Sequence, residues 1–130
     1  MSRMNNRVDQ TGNLTADVEM RYMPNGDPVA NLRLAVNHVF KDKEGEKHES
    51  ADFFPWVAYA RLAEVLNEYA KKGSKVRLVG YAKNETWVDK DTQEKKYATK
   101  FIVGELSLLD KKEGESEPQG ADETGGHYHV

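Results

Sequence analysis

Residues 61–80 read RLAEVLNEYAKKGSKVRLVG, and the spacing of their apolar side chains changes partway along. Leu62, Val65, Leu66 and Tyr69 first recur at the intervals of one helical stripe. That spacing predicts a helix over 61–72, with Lys71 and Lys72 complementing its C-terminal dipole and Gly73 as a left-handed cap. Beyond Gly73 the period is two: Val76, Leu78 and Gly80 point one way over Val76–Lys83, as in a half-buried strand. A helix hands over directly to a strand.

Period two also governs the residues before the helix. In Val29–Asn37, Ala30, Leu32, Leu34 and Val36 face one side, and Asn31, Arg33, Ala35 and Asn37 the other. A Pro-Asn-Gly turn at Pro24–Gly26 precedes this strand. Asp42–Gly45 reads as a hairpin tip between Phe40 and a further run at Asp52–Tyr59. After the second strand pattern, a charged loop at Asp89–Lys96 separates Trp87 from a last strand at Tyr97–Leu109. With a first strand around Val8, the order is three strands, one helix and two strands. The expected fold is all-β: a five-stranded OB-fold barrel with one α-helix between strands 3 and 4. No internal repeat is present.

From Glu113 onward the chain is mostly Glu, Gly, Ser, Pro, Gln, Asp and Thr, and has almost nothing to bury. Such a segment cannot offset its ordering entropy. The expected division is therefore a barrel over 1–110 and a disordered acidic C-terminal tail over 111–130. This split explains the charge. The net −3 hides a body, residues 1–112, holding all 19 Lys and Arg against 17 of the 22 acids, a balance of +2. The tail holds the remaining five acids and no Lys or Arg. A mildly basic body with an acidic appendage is compatible with a polyanionic partner where the total charge is not.

Several function classes find no support. There is no cysteine, hence no disulfide framework, thiolate nucleophile or Cys-based zinc site. His38, His48, His127 and His129 sit in no recognisable catalytic motif, and the glycines form no phosphate-cradling loop. His127-Tyr128-His129 has H-x-H spacing but lies in the tail, and no metal or cofactor is assigned to it. No apolar run approaches the roughly 20 residues of a membrane helix, and the N-terminus lacks the apolar stretch of a secretory signal. A non-enzymatic, cytoplasmic protein is expected.

The aromatics are more informative. Phe40, Phe53, Tyr59 and Trp87 fall on strands or strand–loop junctions, interleaved with Arg33, Lys41, Lys43, Lys83 and Lys90. Phe53, Val57 and Tyr59 share one parity of the third strand; Phe54, Trp56 and Ala58 share the other. One of these faces fills the barrel, so large rings on the other should meet solvent or an interface. An exposed ring beside cations offers an unstacked base a π-face and its phosphate a counter-charge. The alternative is that the rings are ordinary core.

Two stretches carry a resemblance to a known family. Val18–Asp42, VEMRYMPNGDPVANLRLAVNHVFKD, and Arg61–Gly80 resemble the bacterial-type single-stranded DNA-binding (SSB) proteins, as does the stretch through Trp87 and Tyr97-Ala98-Thr99. The likeness covers about residues 5–110. It implies an OB-fold that binds single-stranded DNA without sequence preference, usually as a homotetramer, and protects it in replication, recombination and repair. The stacking positions it implies are Phe40 and Phe53, where the family often has tryptophan, Tyr59 in place of phenylalanine, and Trp87. Candidate phosphate contacts are Arg33, Lys41, Lys43, Arg61, Lys83 and Lys100, with Arg7 a lesser one.

Departures from the family are also visible. The usually apolar first strand here has Asp9, Gln10 and Thr11 after Val8, which puts the usual dimer contact in question. Pro55 interrupts the third strand and suggests an edge, a bulge or a lost ladder bond. Trp56 stands where a smaller aliphatic residue is usual, and Glu85 where a basic one is frequent, so Glu85 is left out of the site. Family tails often close on a hydrophobic pair that recruits replication or repair enzymes. This one ends GHYHV, so that recruitment is not assumed. A shortened, divergent member fits a phage, plasmid or integrated element. Two other readings stay open: a protein-binding OB-fold adaptor of a replication or primosome-like complex with weak DNA affinity, and a nuclease on an OB scaffold.

Overall fold

The structure, a computed structural model, describes residues 5–109 and the backbone of His127–His129. Its elements are β1 (Val8–Leu14), β2 (Glu19–Tyr22), β3 (Pro28–Lys41), β4 (Lys47–Tyr59), α1 (Ala60–Tyr69), β5 (Lys75–Val88), β6 (Lys95–Leu108) and β7 (His127–His129). The sheet runs β1-β5-β6-β4-β3-β2, and a β1–β3 pairing returns it on itself. Five strands thus form a ring, β1-β3-β4-β6-β5, whose β4–β6 contact is parallel and whose other contacts are antiparallel. With α1 between the third and fourth of these strands, this is the expected OB barrel.

The ring is uneven. β3 and β4 pair in register from Val29↔Tyr59 to Lys41↔Lys47, and β5 and β6 from Val76↔Leu108 to Val88↔Lys95. These two long hairpins are closed on each other by short seams: Asn13↔Ala35 and Leu14↔Leu34 between β1 and β3, and Trp56↔Phe101 and Val57↔Ile102 between β4 and β6. The hairpins run past the core as two-stranded ribbons. Their outer halves are largely exposed on both faces, which is why the sequence reading starts and stops these strands too near the barrel.

Inside, Leu14, Ala30, Leu32, Leu34, Trp56, Ala58, Val76, Leu78, Val103 and Leu106 pack with Leu62, Ala63, Val65 and Leu66 of α1. Two glycines permit the strands to approach. A Cβ on Gly12 would run into the carbonyl of Ala35, and one on Gly80 into that of Ile102. At Gly80 the β5–β6 register shifts: Val79 faces Glu105 and Gly80 faces Val103, leaving Gly104 as a bulge.

Three details differ from expectation. The helix ends at Tyr69, short of Lys72, and Tyr69 is exposed rather than part of the buried stripe. Side chains from elsewhere take its next donors: Ser74 Oγ accepts from Lys71 N–H at 2.9 Å, and Asp17 Oδ1 from Lys72 N–H at 2.8 Å. Gly73, at φ +91°, therefore serves a turn closed by Ser74 N–H on the Lys71 carbonyl, and its own N–H donates to Leu14. Second, β2 pairs with β3 from Glu19↔Asn31 to Tyr22↔Pro28, a hairpin around the Pro24–Gly26 turn. Third, the disorder expected of 111–130 lies largely outside the described residues, but His127–His129 form β7, paired with Glu105–Ser107 of β6.

Candidate nucleic-acid interface

The alternation of β4 decides which rings reach solvent. Trp56 turns inward and is 1% exposed, with Phe54 half-buried beside the core. Phe53 and Tyr59, of opposite parity, are 50% and 41% exposed. The inward indole keeps a partner through a polar contact across the barrel: Gln10 Oε1 accepts from Trp56 Nε1 at 3.0 Å. The unusual polar residue of β1 and the unusual tryptophan of β4 satisfy each other.

Asp9 is accounted for as well. It takes both Nε and Nη2 of Arg77, at 2.9 and 2.6 Å, and lies 3.8 Å from Arg7. The Arg77 hydrogen bonds hold its carboxyl below the usual carboxylate range. Pro55 breaks no β3–β4 bond. The carbonyl of its partner Arg33 accepts from Thr15 N–H, so Arg33 and Pro55 are a non-hydrogen-bonded pair. The nitrogen of Pro55 faces away from β3, just before β4 meets β6 at Trp56.

Around the outward rings the cations are unequally placed. The Arg33 guanidinium lies 5.8 Å from the Phe53 ring centroid. Arg61 follows Tyr59 closely, and the intervening Ala60 has φ +54°, a strained turn for a residue with a Cβ. Tyr59 and Arg61 border an apolar cleft of about 330 Å³ completed by Leu62, Tyr81, Ile102 and Val103. Trp87, 48% exposed, stands near the end of the β5–β6 ribbon opposite Lys96. Lys83 and Lys100 pair on that same ribbon face, but Lys100 is held 3.1 Å from Glu85. Lys41 and Lys43 are exposed at the far end of the other ribbon, and Arg7 is engaged with Asp9.

Phe40, 48% exposed, is not on the face of Phe53. Register places Phe53 with Ala35, Arg33 and Pro55 on one face of the β3–β4 ribbon, and Phe40 with His38, His48, Ser50 and Asp52 on the other. The four rings thus do not make one continuous surface. Sequence reasoning passed over Tyr81, His38, His48 and Tyr97, whose ring has Lys95 Nζ 6.0 Å from its centroid. Tyr81 follows a bulge that sequence does not announce, and His48 gains its neighbours from across a hairpin. Asp42, Glu46 and His48 could group around a cation. However, Asp42 Oδ1 already accepts from the N–H groups of Glu44 and Glu46, and Oδ2 contacts His48 at 2.8 Å, so the cluster is satisfied without one.

A closed five-stranded barrel with a helix between its third and fourth strands, and half-exposed rings on its projecting ribbons, defines an OB-fold binding module. A model of the "Single-strand binding protein family" matches residues 5–109, and the chain belongs to that family, whose members are non-enzymatic DNA-binding proteins. Among solved structures it is similar to the Plasmodium falciparum SSB in complex with ssDNA. There the TM-score is 0.73 at 23% identity, covering 85% of this chain and 99% of that one. It is also similar to a deletion mutant of the single-stranded DNA binding protein from Thermus aquaticus, with a TM-score of 0.73 at 28% identity. That match covers 86% of this chain and 54% of the other, so this chain spans about half its length. No helix among the described residues is long and apolar enough to cross a membrane.

Proposed function

We propose that this protein binds single-stranded DNA without sequence preference, stacking bases on exposed rings and contacting phosphates with Lys and Arg, and so protects the strand in replication, recombination and repair. The observation that carries the reading is the alternation of β4, where Trp56 is spent on the core while Phe53 and Tyr59 face solvent beside Arg33 and Arg61. Trp87 adds a platform on the second ribbon. A base stacked on such a ring contributes about 1–3 kcal/mol whatever its identity, which is the basis of sequence tolerance. Arg33, Arg61, Lys83, Lys41 and Lys43 serve the backbone, with Lys100 and Arg7 contributing less because carboxylates already hold them. Asp9, Pro55 and Glu85 gave the adaptor reading its motive; each now has an intramolecular explanation, and DNA binding is preferred.

The same reading includes self-association, with a homotetramer as the family expectation and a dimer as the alternative. The β3-facing edge of β1 is paired only at Asn13 and Leu14, which supports strand addition by a second copy along Val8–Thr11. A body over 1–110 with an acidic tail over 111–130, and action in the cytoplasm, complete it. Light scattering after gel filtration reads the oligomer: a strict monomer at micromolar concentration would remove that part.

The test is tryptophan fluorescence during titration with oligo-dT at low and high salt. Trp56 is buried, so quenching reports Trp87. Saturable quenching is expected, with a log–log salt dependence of about −0.7 per neutralised phosphate. Trp87→Ala should abolish the signal and weaken binding about fivefold or more, read by anisotropy of a labelled oligonucleotide. Folded protein that neither quenches nor retains the strand would overturn the assignment.

A further inference from the structure

Phe40 stands in a row of three rings. Its centroid lies 5.4 Å from that of His48, across the hairpin, with the planes 23° apart, and 6.1 Å from that of His38, with the planes 30° apart. The side chains of His38 and His48 are 51% and 45% exposed. Each imidazole has a carboxylate at its Nε2: Asp42 Oδ2 at 2.8 Å from His48, and Asp52 Oδ2 at 3.6 Å from His38, where Ser50 Oγ also hydrogen-bonds. Glu46 completes the group around His48. Lys41 and Lys47, the nearest cations in register, belong to the other face of the ribbon.

We propose that His38 and His48 are part of the DNA-binding surface, forming with Phe40 a three-ring platform that binds single-stranded DNA more tightly when the imidazoles are protonated. The inference rests on the single-strand binding reading and extends it to two residues with a distinct role. The two imidazoles give a base further rings to stack on beside the one phenyl group, which compensates for the smaller overlap of phenylalanine relative to indole. Charge supplies the second part. With neutral imidazoles this face presents Asp42, Asp52 and Glu46 to an approaching phosphate, and no Lys or Arg among the residues that the β3–β4 register places on it. Imidazole is the side chain that changes charge between pH 5 and 8. Two imidazolium groups turn Asp42 and Asp52 into ion pairs and leave N–H donors for phosphate oxygens. Asp42 keeps its charge over this range, because His48 and the N–H groups of Glu46, Glu44 and Gly45 hold its carboxyl below the usual value. DNA and protons therefore bind cooperatively.

The experiment measures oligo-dT affinity of the full chain at pH 5.5 and pH 8 over a series of salt concentrations. It compares wild type, His38→Phe/His48→Phe, which keeps rings without protons, and His38→Asn/His48→Asn, which keeps neither. For wild type the log–log salt slope should be steeper at pH 5.5 than at pH 8, by up to about 1.4, since each added phosphate contact contributes about 0.7. The phenylalanine variant should bind like wild type at pH 8 and lose that steepening. The asparagine variant should be weaker at pH 8 by about fivefold or more. A wild-type slope unchanged by pH, steepening that survives in the phenylalanine variant, or asparagine-variant binding equal to wild type would each overturn the platform while leaving DNA binding intact. Wild type that fails to bind oligo-dT at either pH would sink the single-strand reading itself, and the platform with it. As a check independent of variant folding, the imidazole proton resonances of His38 and His48 in wild type should titrate at higher pH with oligo-dT bound; coincident titrations would refute the coupling.

Discussion

Replacing Gln10 by leucine isolates the contact that satisfies the buried indole of β4. Gln10 is half-buried, and its Oε1 is the acceptor for the indole N–H of Trp56, at 3.0 Å. Trp56 is 1% exposed, so water cannot take over that role. Leaving a buried donor unpaired costs about 1–3 kcal/mol, and the apolar gain from a half-buried leucine offsets roughly half a kcal/mol or more. A net loss of about 1.5 kcal/mol is expected. With an unfolding entropy of about 2.1 cal/mol/K per residue over some 105 ordered residues, that corresponds to a Tm lower by about 7 °C. The sharper quantity is the coupling. In a Trp56→Phe background there is no indole donor to orphan, so the same Gln10→Leu change should be neutral or mildly stabilising. Urea unfolding of the four proteins at one fixed protein concentration, which keeps any self-association constant, should give an interaction energy of about 1–2 kcal/mol. Equal losses in both backgrounds would show that Trp56 does not depend on Gln10, and the account of how the buried indole is satisfied would fail.

Other expectations follow from single contacts. Ala60→Gly relieves a left-handed alanine between β4 and α1 and should stabilise the fold by roughly 0.5–1 kcal/mol after the added chain entropy is subtracted, read as a raised urea midpoint. Gly80→Ala drives a Cβ into the Ile102 carbonyl and should destabilise by about 1–3 kcal/mol or prevent folding, visible in the circular dichroism melt. Glu85→Gln removes a carboxylate from the Trp87 face and releases Lys100, so oligo-dT should bind about two- to fivefold more tightly, with a steeper salt slope. Asp9 is depressed in the folded state, so its contribution to stability is present above the ordinary carboxylate pKa and lost as pH falls through the lower folded value. Asp9→Asn should therefore lower stability at pH 7 and flatten its decline below about pH 4, measured by urea unfolding across pH.

How much of this was legible in the sequence depends on how local the deciding forces are. The α1 stripe and the alternation of β3 and β5 are properties of neighbouring residues, and the barrel order followed from them. The parity of β4 correctly separated Phe53 and Tyr59 from Phe54 and Trp56. Which set would face inward depends on packing and polar partners supplied by other strands, Gln10 among them. The end of α1 was missed because Asp17, well upstream, captures Lys72 N–H. β2 was missed although Val18, Met20 and Tyr22 alternate with Glu19 and Arg21, because the run is short and mostly exposed. The histidines looked inert singly; cross-strand register put one of them beside Phe40.

The uneven ring of strands has a consequence for how the protein can measure a strand of DNA. Phe53 and Tyr59 share one strand, and their separation along it, about 20 Å, is as fixed as the backbone between them. Trp87 belongs to the other ribbon, and the two ribbons are clasped by only two residue pairs at each seam. In the proposed stacking mode, then, one interval is set by a single strand, and the interval to Trp87 is set by the seams and by the side-chain packing that joins the two ribbons.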